Sequence, residues 1–327
     1  MIDSFEKIPI SIHGNAKKAT KIIAAEIAKL IREKAAAGKH CVLGMATGST
    51  PKTLYAELVR LHREDGLSFK NVISFNLDEY YLIKPDAAQS YHGFMNSFLF
   101  SHVDIDPKNV HIPDGTIEKA NIHSYADSYE KAIADAGGID IQILGIGVNG
   151  HIGFNEPGSS RNSITRIAAL DNGTRLANAY EFENISQVPR LAVTMGIASI
   201  LKAKRIILMA FGESKATIVA DAIEGQITDS VPASFLQEHH NCMFYLDEAS
   251  SQELTRFKAP WLASHIEWKE KTIRKAVCSM AITLGKPLLM LTREDYLNEG
   301  LADLLEKHGP VSEVNLRVFN GLRDTIT

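Results

Sequence analysis

The first 250 residues alternate between short apolar runs and longer segments whose apolar positions recur at helical spacing. The short runs are almost continuously apolar, as in β-strands that helices cover on both faces. These predicted strands are residues 41–46, 72–77, 139–146, 205–211 and 242–246. The predicted amphipathic helices are residues 16–37, 51–62, 121–136, 188–201 and 215–224. This alternation predicts an α/β fold: a doubly wound, mostly parallel, Rossmann-like sheet with helices on both faces.

The pattern changes near residue 250. The remaining chain is mainly helical, with strong periodicity over 266–284, a helix near 294–308 and a short apolar end at 314–319. A chain of 327 residues is long enough for one large α/β domain with an appendage. We therefore expect an α/β domain over residues 1–250 and a mainly helical C-terminal extension over 251–327, packed on it.

Composition and charge argue against several classes of protein. The net charge is −4 and the pI is near 6.3, so no nucleic-acid partner is expected, because such proteins normally present a basic face. No apolar stretch approaches the roughly 20 residues of a membrane-spanning helix, so no membrane contact is expected. Residues 1–7 include Asp3 and no apolar stretch, so they are not expected to form a secretion signal. The scattered Cys41, Cys242 and Cys278 are interpreted as buried thiols in a reducing, cytoplasmic compartment.

Ligands of open α/β sheets bind beyond the carboxyl ends of the strands. Thr47, Gly48, Ser49 and Thr50 follow the first predicted strand, with Thr50 suited to a helix N-cap and Pro51 to the first helical position. Gly48 allows close backbone approach, and the N–H groups of a helix start attract anions. The segment therefore predicts a phosphate cradle, although it matches neither a Walker A nor a GxGxxG pattern. The alternative is an ordinary helix cap.

Two adjacent acids, Asp78 and Glu79, follow the second predicted strand. Burying carboxylates is costly, so their placement suggests a use. Asp78 would face the crevice, where partial desolvation raises the pKa of a carboxylate toward that of a useful general base. Glu79 would point elsewhere, because neighbouring side chains diverge. The alternative is that these acids cap a helix or a turn.

A glycine-rich loop, GIGVNGHIGFNEPG at 145–158, follows the third predicted strand. Such a loop would hold His151 against a ligand, where a histidine can transfer protons near neutral pH. Glu156 could fix the tautomer of that ring. The alternative is a structural loop around a core histidine. No second His or Cys stands at metal-ligand spacing, so no metal site is expected.

Two cations complete the candidate set. Lys215 lies at a predicted helix start, where a positive charge is unfavourable unless an anion is bound there as well. Arg175, between the third and fourth predicted strands, offers a second cation. The alternative for each is an ordinary solvated side chain.

Together these loops resemble those of glucosamine-6-phosphate deaminases, within the family that also contains 6-phosphogluconolactonases. The resemblance covers roughly residues 17–255, and three motifs carry it: GxxTGSTP at 44–51, NLDEY at 76–80 and GIGxNGHIGFNEP at 145–157. The last two favour a deaminase over a lactonase. The resemblance implies conversion of glucosamine 6-phosphate and water to fructose 6-phosphate and ammonia by the domain at 1–250, with no metal or organic cofactor.

The resemblance also implies roles for individual residues. His151 would move a proton to open the sugar ring, with Asn149 and Glu156 orienting it. Asp78 would carry a proton between C2 and C1, giving an enolamine and a ketose that loses ammonia. Residues 166–195 would correspond to a mobile lid that delivers Arg175 on closure. The residues implied to hold the phosphate are Thr47, Gly48, Ser49, Thr50, Arg175 and Lys215.

The chain departs from the family pattern at several positions. Asn149 stands where many relatives have Asp; it can orient His151 but supplies no charge, so ring opening depends more on Glu156. Relatives activated by N-acetylglucosamine 6-phosphate use a Ser, an Arg and a Lys. Ser159 and Arg166 match, but Ala168 replaces the Lys, which implies a degenerate allosteric site and near-hyperbolic kinetics. The tail is also longer than in short family members.

Two other functions remain open from the sequence. One is a 6-phosphogluconolactonase or another amino-sugar-phosphate isomerase with the same phosphate site. The other is a non-catalytic sugar-phosphate sensor, against which the presence of Asp78, His151 and Glu156 argues. In each case the expected partner is a small-molecule sugar phosphate. The sequence leaves open whether the chain forms a homo-oligomer.

Overall fold

The computed structural model of the chain describes residues 5–324, which form two compact units. Glu6–Glu253 make up the first unit, and the described residues from Leu254 onward, together with Phe5, make up the second. Residues 1–4, part of the stretch in which no secretion signal was expected, and residues 325–327 lie outside the described residues. None of the described helices combines the length and the apolar character that crossing a membrane requires. The cytoplasmic location stays a prediction.

The first unit is an α/β structure. Its strands are β1 (Ile10–His13), β2 (Cys41–Met45), β3 (Val72–Asn76), β4 (Asp78–Tyr80), β5 (Val110–His111), β6 (Ile141–Leu144), β7 (Arg166–Ala169), β8 (Leu191–Thr194), β9 (Ile206–Ala210) and β10 (Cys242–Asp247). Its α-helices are α1 (Ala16–Ala36), α2 (Ser49–Asp65), α3 (Tyr91–Phe98), α4 (Ile122–Asp135), α5 (Asn172–Asn178), α6 (Ile197–Leu201) and α7 (Ala216–Glu224).

Seven strands form one parallel sheet in the order β1-β10-β9-β6-β2-β3-β5. The chain leaves β2 toward β3 and β5, then returns to the other side of β2 to form β6. The strand order therefore reverses at β2, and the loops after β2 and β6 open into the same crevice. The core strands are fully buried, as their continuous apolar runs predicted. The predicted α/β fold class is confirmed.

One predicted helix was wrong. Residues 188–201 contain strand β8 at Leu191–Thr194, and only Ile197–Leu201 is helical. Strand β8 lies between β4 and β7 in a second, antiparallel sheet. This tertiary pairing stabilises an extended backbone, which the spacing of apolar residues in one segment does not reveal. The short strands β1, β4, β5 and β7 were not predicted.

The second sheet fixes the position of the residues that directly follow β3. Leu77 alone separates β3 from β4, and Asp78 pairs with Thr194 of β8. The Leu77 amide donates to the Met45 carbonyl oxygen at 3.0 Å, and the Met195 amide donates to the Leu77 carbonyl oxygen at 2.7 Å. Asp78 is thereby held at the carboxyl end of β3, where the two sheets meet.

The second unit is helical. Its helices are α8 (Thr255–Lys258), α9 (Pro260–Ala263), α10 (Glu270–Leu284), α11 (Arg293–Asn298), α12 (Ala302–His308) and α13 (Val311–Arg323). The single helix predicted over 294–308 is two helices, α11 and α12, because the chain turns at Gly300 with a φ of 69°. The core of this unit includes Trp268 and Tyr296, and the Tyr296 hydroxyl donates to Asn315 Oδ1 at 2.7 Å.

Candidate active site

A cavity of about 310 Å³ lies at the carboxyl ends of the central strands. It is lined by the loop after β2, by Asp78 after β3, by the glycine-rich loop after β6 and by Lys215 after β9. Part of the segment between β7 and β8 also lines it. The cavity is large enough for a small polar ligand. Four loops that sequence reasoning treated separately therefore meet at one site.

The loop after β2 forms an open helix start. Helix α2 begins at Ser49 with Gly48 as its N-cap, two residues before the start predicted with Thr50 as the cap. Gly48 has a φ of 105°, which favours glycine, and no described side chain caps the helix. The first N–H groups of a helix lack intrahelical partners. Those of α2 are therefore available to an anion in the cavity.

Lys215 supplies a positive charge to the same cavity. Its ammonium donates a hydrogen bond to the Ile146 carbonyl oxygen at 2.8 Å, which fixes its position between the loops after β6 and β9. Burial lowers the pKa of Lys215 from its ordinary value. Lys215 is the one lysine or arginine among the described residues that line the cavity. It stands at the N-cap of α7, as expected from the sequence.

Asp78 is a buried carboxylic acid at the wall of the cavity. It is 5% exposed, and no described residue donates a hydrogen bond to its carboxylate. Burial, and next the charge of Glu79, raise the pKa of Asp78 to about 8. A Cβ placed on Gly153 would lie 3.4 Å from Asp78 Oδ2, so the glycine-rich loop passes close to the carboxylate. Such a group is a strong base once it is ionised.

Glu79 binds backbone amide groups with its carboxylate and does not line the cavity. Its carboxylate accepts hydrogen bonds from the backbone amides of Tyr80, Tyr91 and His92 at 2.9, 3.0 and 3.1 Å. Burial raises the pKa of Glu79 to about 7, although these amides favour the ionised form. Glu79 therefore caps the start of α3 and points away from the cavity, in agreement with the expected divergence of the two acids.

His151 is held on one edge by a network of hydrogen bonds. Its Nδ1 lies 2.8 Å from Asn149 Oδ1, 3.3 Å from Glu156 Oε2 and 3.2 Å from Thr174 Oγ1. Since carboxylate and amide oxygens are acceptors, we assign the proton to Nδ1, which leaves Nε2 for a ligand. A Cβ on Gly147 would lie 2.3 Å from the imidazole ring, so only glycine fits there.

Glu156 remains ionised beside that ring. Its own burial would raise the pKa, but hydrogen bonds and charge from His151, together with Thr174 and Asn149, lower the pKa of Glu156 to about 2. Asn149 Nδ2 donates to Glu156 Oε2 at 2.8 Å. A fixed negative charge near Nδ1 stabilises the imidazolium form, which is what a histidine that gains and returns a proton needs.

Arg175 is not among the residues that line the cavity. Its guanidinium donates to the carbonyl oxygens of Ile185 at 2.9 Å and Val188 at 3.2 Å. The phosphate contact that the sequence suggested for Arg175 stays a prediction. Ser159 and Arg166 do lie together, since an Arg166 amino group donates to Ser159 Oγ at 3.3 Å. Their role as a degenerate effector site also stays a prediction.

Sequence reasoning missed several residues of the cavity wall. Tyr91, Thr174, Asn178 and Tyr180 line the cavity, and Thr174 Oγ1 lies within hydrogen-bond distance of His151 Nδ1. The Tyr91 side chain is hydrogen-bonded to Thr47 and Tyr80. None of these residues follows a predicted strand directly, so the search along strand ends did not find them. Within residues 5–324, no group of three or more His, Cys, Asp or Glu is arranged to hold a metal ion.

Comparison with known proteins assigns the chain to a family. The sequence model of the family "Glucosamine-6-phosphate isomerases/6-phosphogluconolactonase" matches residues 14–245. The chain belongs to this family. The matched range contains the cavity and every candidate residue described above, so the resemblance seen in the sequence motifs is confirmed.

Individual members of the glucosamine-6-phosphate isomerase/6-phosphogluconolactonase family agree with this assignment. A glucosamine-6-phosphate deaminase-like protein of Bacteroides thetaiotaomicron is 45% identical over 327 residues, which is 100% of this chain and 49% of the relative. The chain thus spans about half the length of that relative. The glucosamine-6-phosphate deaminase of Oceanobacillus iheyensis is 48% identical over 214 residues, covering 65% of this chain and 85% of the relative.

Solved structures from the family share the fold. A monomeric glucosamine-6-phosphate deaminase superimposes with a TM-score of 0.72 at 40% identity, covering 75% of this chain and 100% of the other. A 6-phosphogluconolactonase from Trypanosoma brucei gives a TM-score of 0.61 at 22% identity, covering 76% and 99%. The second likeness concerns the fold alone.

Proposed function

We propose that this chain converts glucosamine 6-phosphate and water to fructose 6-phosphate and ammonia. The observation that carries the proposal is one cavity that combines a buried, weakly acidic Asp78, an oriented His151 and the uncapped start of α2 beside Lys215. The first two groups can move protons at carbon and at oxygen, and the third suits a phosphate ester. The deaminase names of relatives at 43–48% identity support the same substrate.

In the proposed reaction His151 moves the proton that opening of the sugar ring requires. Its Nδ1 is fixed by Asn149 and Glu156, so Nε2 faces the ligand. The ionised Glu156 would stabilise the imidazolium formed when the proton is taken up. Asn149 orients the His151 ring but carries no charge, so the charge that would stabilise the imidazolium comes from Glu156.

Asp78 then acts on the open chain. It takes the proton from C2 and delivers a proton to C1, while O1 gains a proton and the amino nitrogen loses one. The aldehyde carbon thereby becomes an alcohol carbon and C2 becomes an imine carbon. Water adds to C2, the C2–N bond breaks, and ammonia leaves with a ketone at C2. No described residue donates a hydrogen bond to the Asp78 carboxylate, which therefore carries no donor that would weaken it as a base.

The phosphate would lie at the start of α2, where Thr47, Gly48, Ser49 and Thr50 border the cavity with Lys215. The same proposal assigns the reaction to the part of the chain expected at residues 1–250, with residues 251–327 as an extension.

A coupled assay tests this function on the whole chain. We expect equal amounts of ammonia and fructose 6-phosphate from glucosamine 6-phosphate, and loss of both in Asp78→Asn. Hydrolysis of 6-phosphogluconolactone without ammonia release would instead identify a lactonase. Binding of glucosamine 6-phosphate with no product at all would identify a sensor, and either result would overturn the proposal.

A further inference from the structure

Tyr91 is a tyrosine of the cavity wall to which the proposed reaction gives no role. It is the first residue of α3, and it is only 7% exposed although it lines the cavity. Its ring centroid lies 5.0 Å from that of Tyr80, and its ring stacks on that of Phe154 at an interplanar angle of 12°. This packing fixes the direction in which the Tyr91 hydroxyl group points.

The backbone at Tyr91 is anchored by Glu79. The Glu79 carboxylate accepts a hydrogen bond from the Tyr91 amide at 3.0 Å and one from the His92 amide at 3.1 Å. The same carboxylate accepts from the Tyr80 amide at 2.9 Å, so it joins the start of α3 to strand β4. Hydrogen bonds to an ionised carboxylate are stronger than neutral ones. Glu79 therefore holds Tyr91 beside the strand that carries Asp78.

The Tyr91 side chain is hydrogen-bonded to Thr47, which lies in the loop before α2 and lines the cavity. Burial raises the pKa of Tyr91 well above its ordinary value, so its hydroxyl group keeps its proton. A hydroxyl group donates one hydrogen bond and accepts others, whereas the oxygens of an ionised phosphate accept. When Thr47 donates its proton to a phosphate oxygen, the hydrogen bond between Tyr91 and Thr47 is donated by Tyr91.

From this arrangement we infer that Tyr91 is a positioning residue of the phosphate site, an inference that rests on the proposed function and deepens it. The Tyr91 hydroxyl group donates to Thr47 Oγ1 and so directs the one proton of Thr47 toward a phosphate oxygen. Glu79 keeps Tyr91 in place for this contact. Tyr91 thus acts on phosphate binding through Thr47 and takes no part in the proton transfers of Asp78 and His151.

A double-mutant cycle with inorganic phosphate tests the link between Tyr91 and Thr47. Phosphate is titrated by calorimetry into wild type, Tyr91→Phe, Thr47→Val and the double variant. We expect Tyr91→Phe to weaken binding about fivefold and Thr47→Val about tenfold, with the double variant no weaker than Thr47→Val alone, because Tyr91 acts through Thr47. Losses that multiply to about fiftyfold would show that the two residues act independently and would overturn the inference.

Tyr125→Phe is the matched control, because the Tyr125 hydroxyl group accepts from the Asp114 amide at 2.6 Å and does not line the cavity. We expect Tyr125→Phe to bind phosphate as wild type does, and equal binding by Tyr91→Phe and Tyr125→Phe would overturn the inference. Should Tyr91→Phe not fold, Glu79→Gln takes its place in the cycle, since it removes the acceptor of the His92 amide. Glu79→Gln should weaken binding about threefold alone and not at all beside Thr47→Val, and a loss that persists beside Thr47→Val would overturn the inference.

Steady-state rates of ammonia release separate a role in binding from one in the chemistry. We expect Tyr91→Phe to raise KM for glucosamine 6-phosphate about fivefold, with kcat changed less than about threefold. A fall in kcat of about tenfold at unchanged KM would place Tyr91 in the proton transfers and overturn the inference. Absence of ammonia release in wild type would refute the proposed function, while the phosphate titration would still decide the link between Tyr91 and Thr47.

Discussion

Replacing Asp78 by Asn changes how the stability of the protein depends on pH. Burial raises the pKa of Asp78 from 3.8 to about 8, so the folded protein keeps a proton that the unfolded chain loses near pH 4. The stability that the neutral carboxyl group contributes is fully present below about pH 4. It is lost as the pH rises through 8, because the folded state must then bury a charge.

The magnitude follows from the interval between the two pKa values. Each pH unit corresponds to about 1.4 kcal/mol, so ionising Asp78 inside the fold costs at most on the order of 6 kcal/mol relative to water. Asparagine has nearly the same shape and stays neutral. We therefore expect the stability of Asp78→Asn relative to wild type to increase by up to about 1.4 kcal/mol per pH unit between pH 4 and 8, and to level off above pH 8.

Urea unfolding at several pH values between 5 and 9 measures this difference. Both tryptophans, Trp261 and Trp268, lie in the second unit, so circular dichroism is the better probe of the α/β unit. Asp229→Asn, at an exposed position of the first unit, is the control for removal of one negative charge. If the Asp78→Asn difference stays constant from pH 5 to 9, as we expect for Asp229→Asn, the carboxyl group is not buried as described.

Three further predictions concern activity. Asp78→Asn should lower kcat about 10²- to 10⁴-fold in the ammonia assay, and a variant that keeps more than a third of wild-type kcat would exclude Asp78 as the proton carrier. Lys215→Ala should weaken binding of the phosphate ester by about 1–3 kcal/mol, which a higher KM for glucosamine 6-phosphate would show. If wild type converted unphosphorylated glucosamine as fast as glucosamine 6-phosphate, the phosphate site would be contradicted. Because Ala168 supplies no charge, rates should depend near-hyperbolically on substrate, with little response to millimolar N-acetylglucosamine 6-phosphate. A sigmoidal curve that the effector straightens would show a functional effector site.

The candidate residues that follow the strands could be predicted, because continuous apolar runs in the sequence show where each buried strand ends. Such runs mark buried parallel strands, and the carboxyl ends of these strands meet at one edge of a sheet. This is why Asp78, His151 and Lys215, each of which follows a different strand, line one cavity. Which residues meet at the cavity depends on the order of the strands and helices along the chain, not on their exact bounds. The start of α2 was predicted two residues too late, but its loop was still correctly placed at the cavity.

The sequence could not predict which side chains of the segment between β7 and β8 point toward the cavity. Successive residues of a helix point about 100° apart, so an error of one residue decides whether Thr174 or Arg175 faces the cavity. No helix was predicted at α5, and the carbonyl partners of Arg175 lie ten and thirteen residues further along the chain. The direction of the Arg175 side chain therefore could not be derived from the sequence, and its phosphate contact stays a prediction.

The wrongly predicted helix at 188–201 bears directly on the chemistry of Asp78. Strand β8 pairs with β4 at Asp78 and with β7 on its other side, so both ends of the lid expected at 166–195 belong to a sheet. A lid that moved as a whole would break the pairing of Asp78 with Thr194 and admit water to the carboxylate, which would return its pKa toward 3.8. We therefore predict that any closure over the substrate is confined to residues 170–190, while β7 and β8 stay in place and keep Asp78 buried.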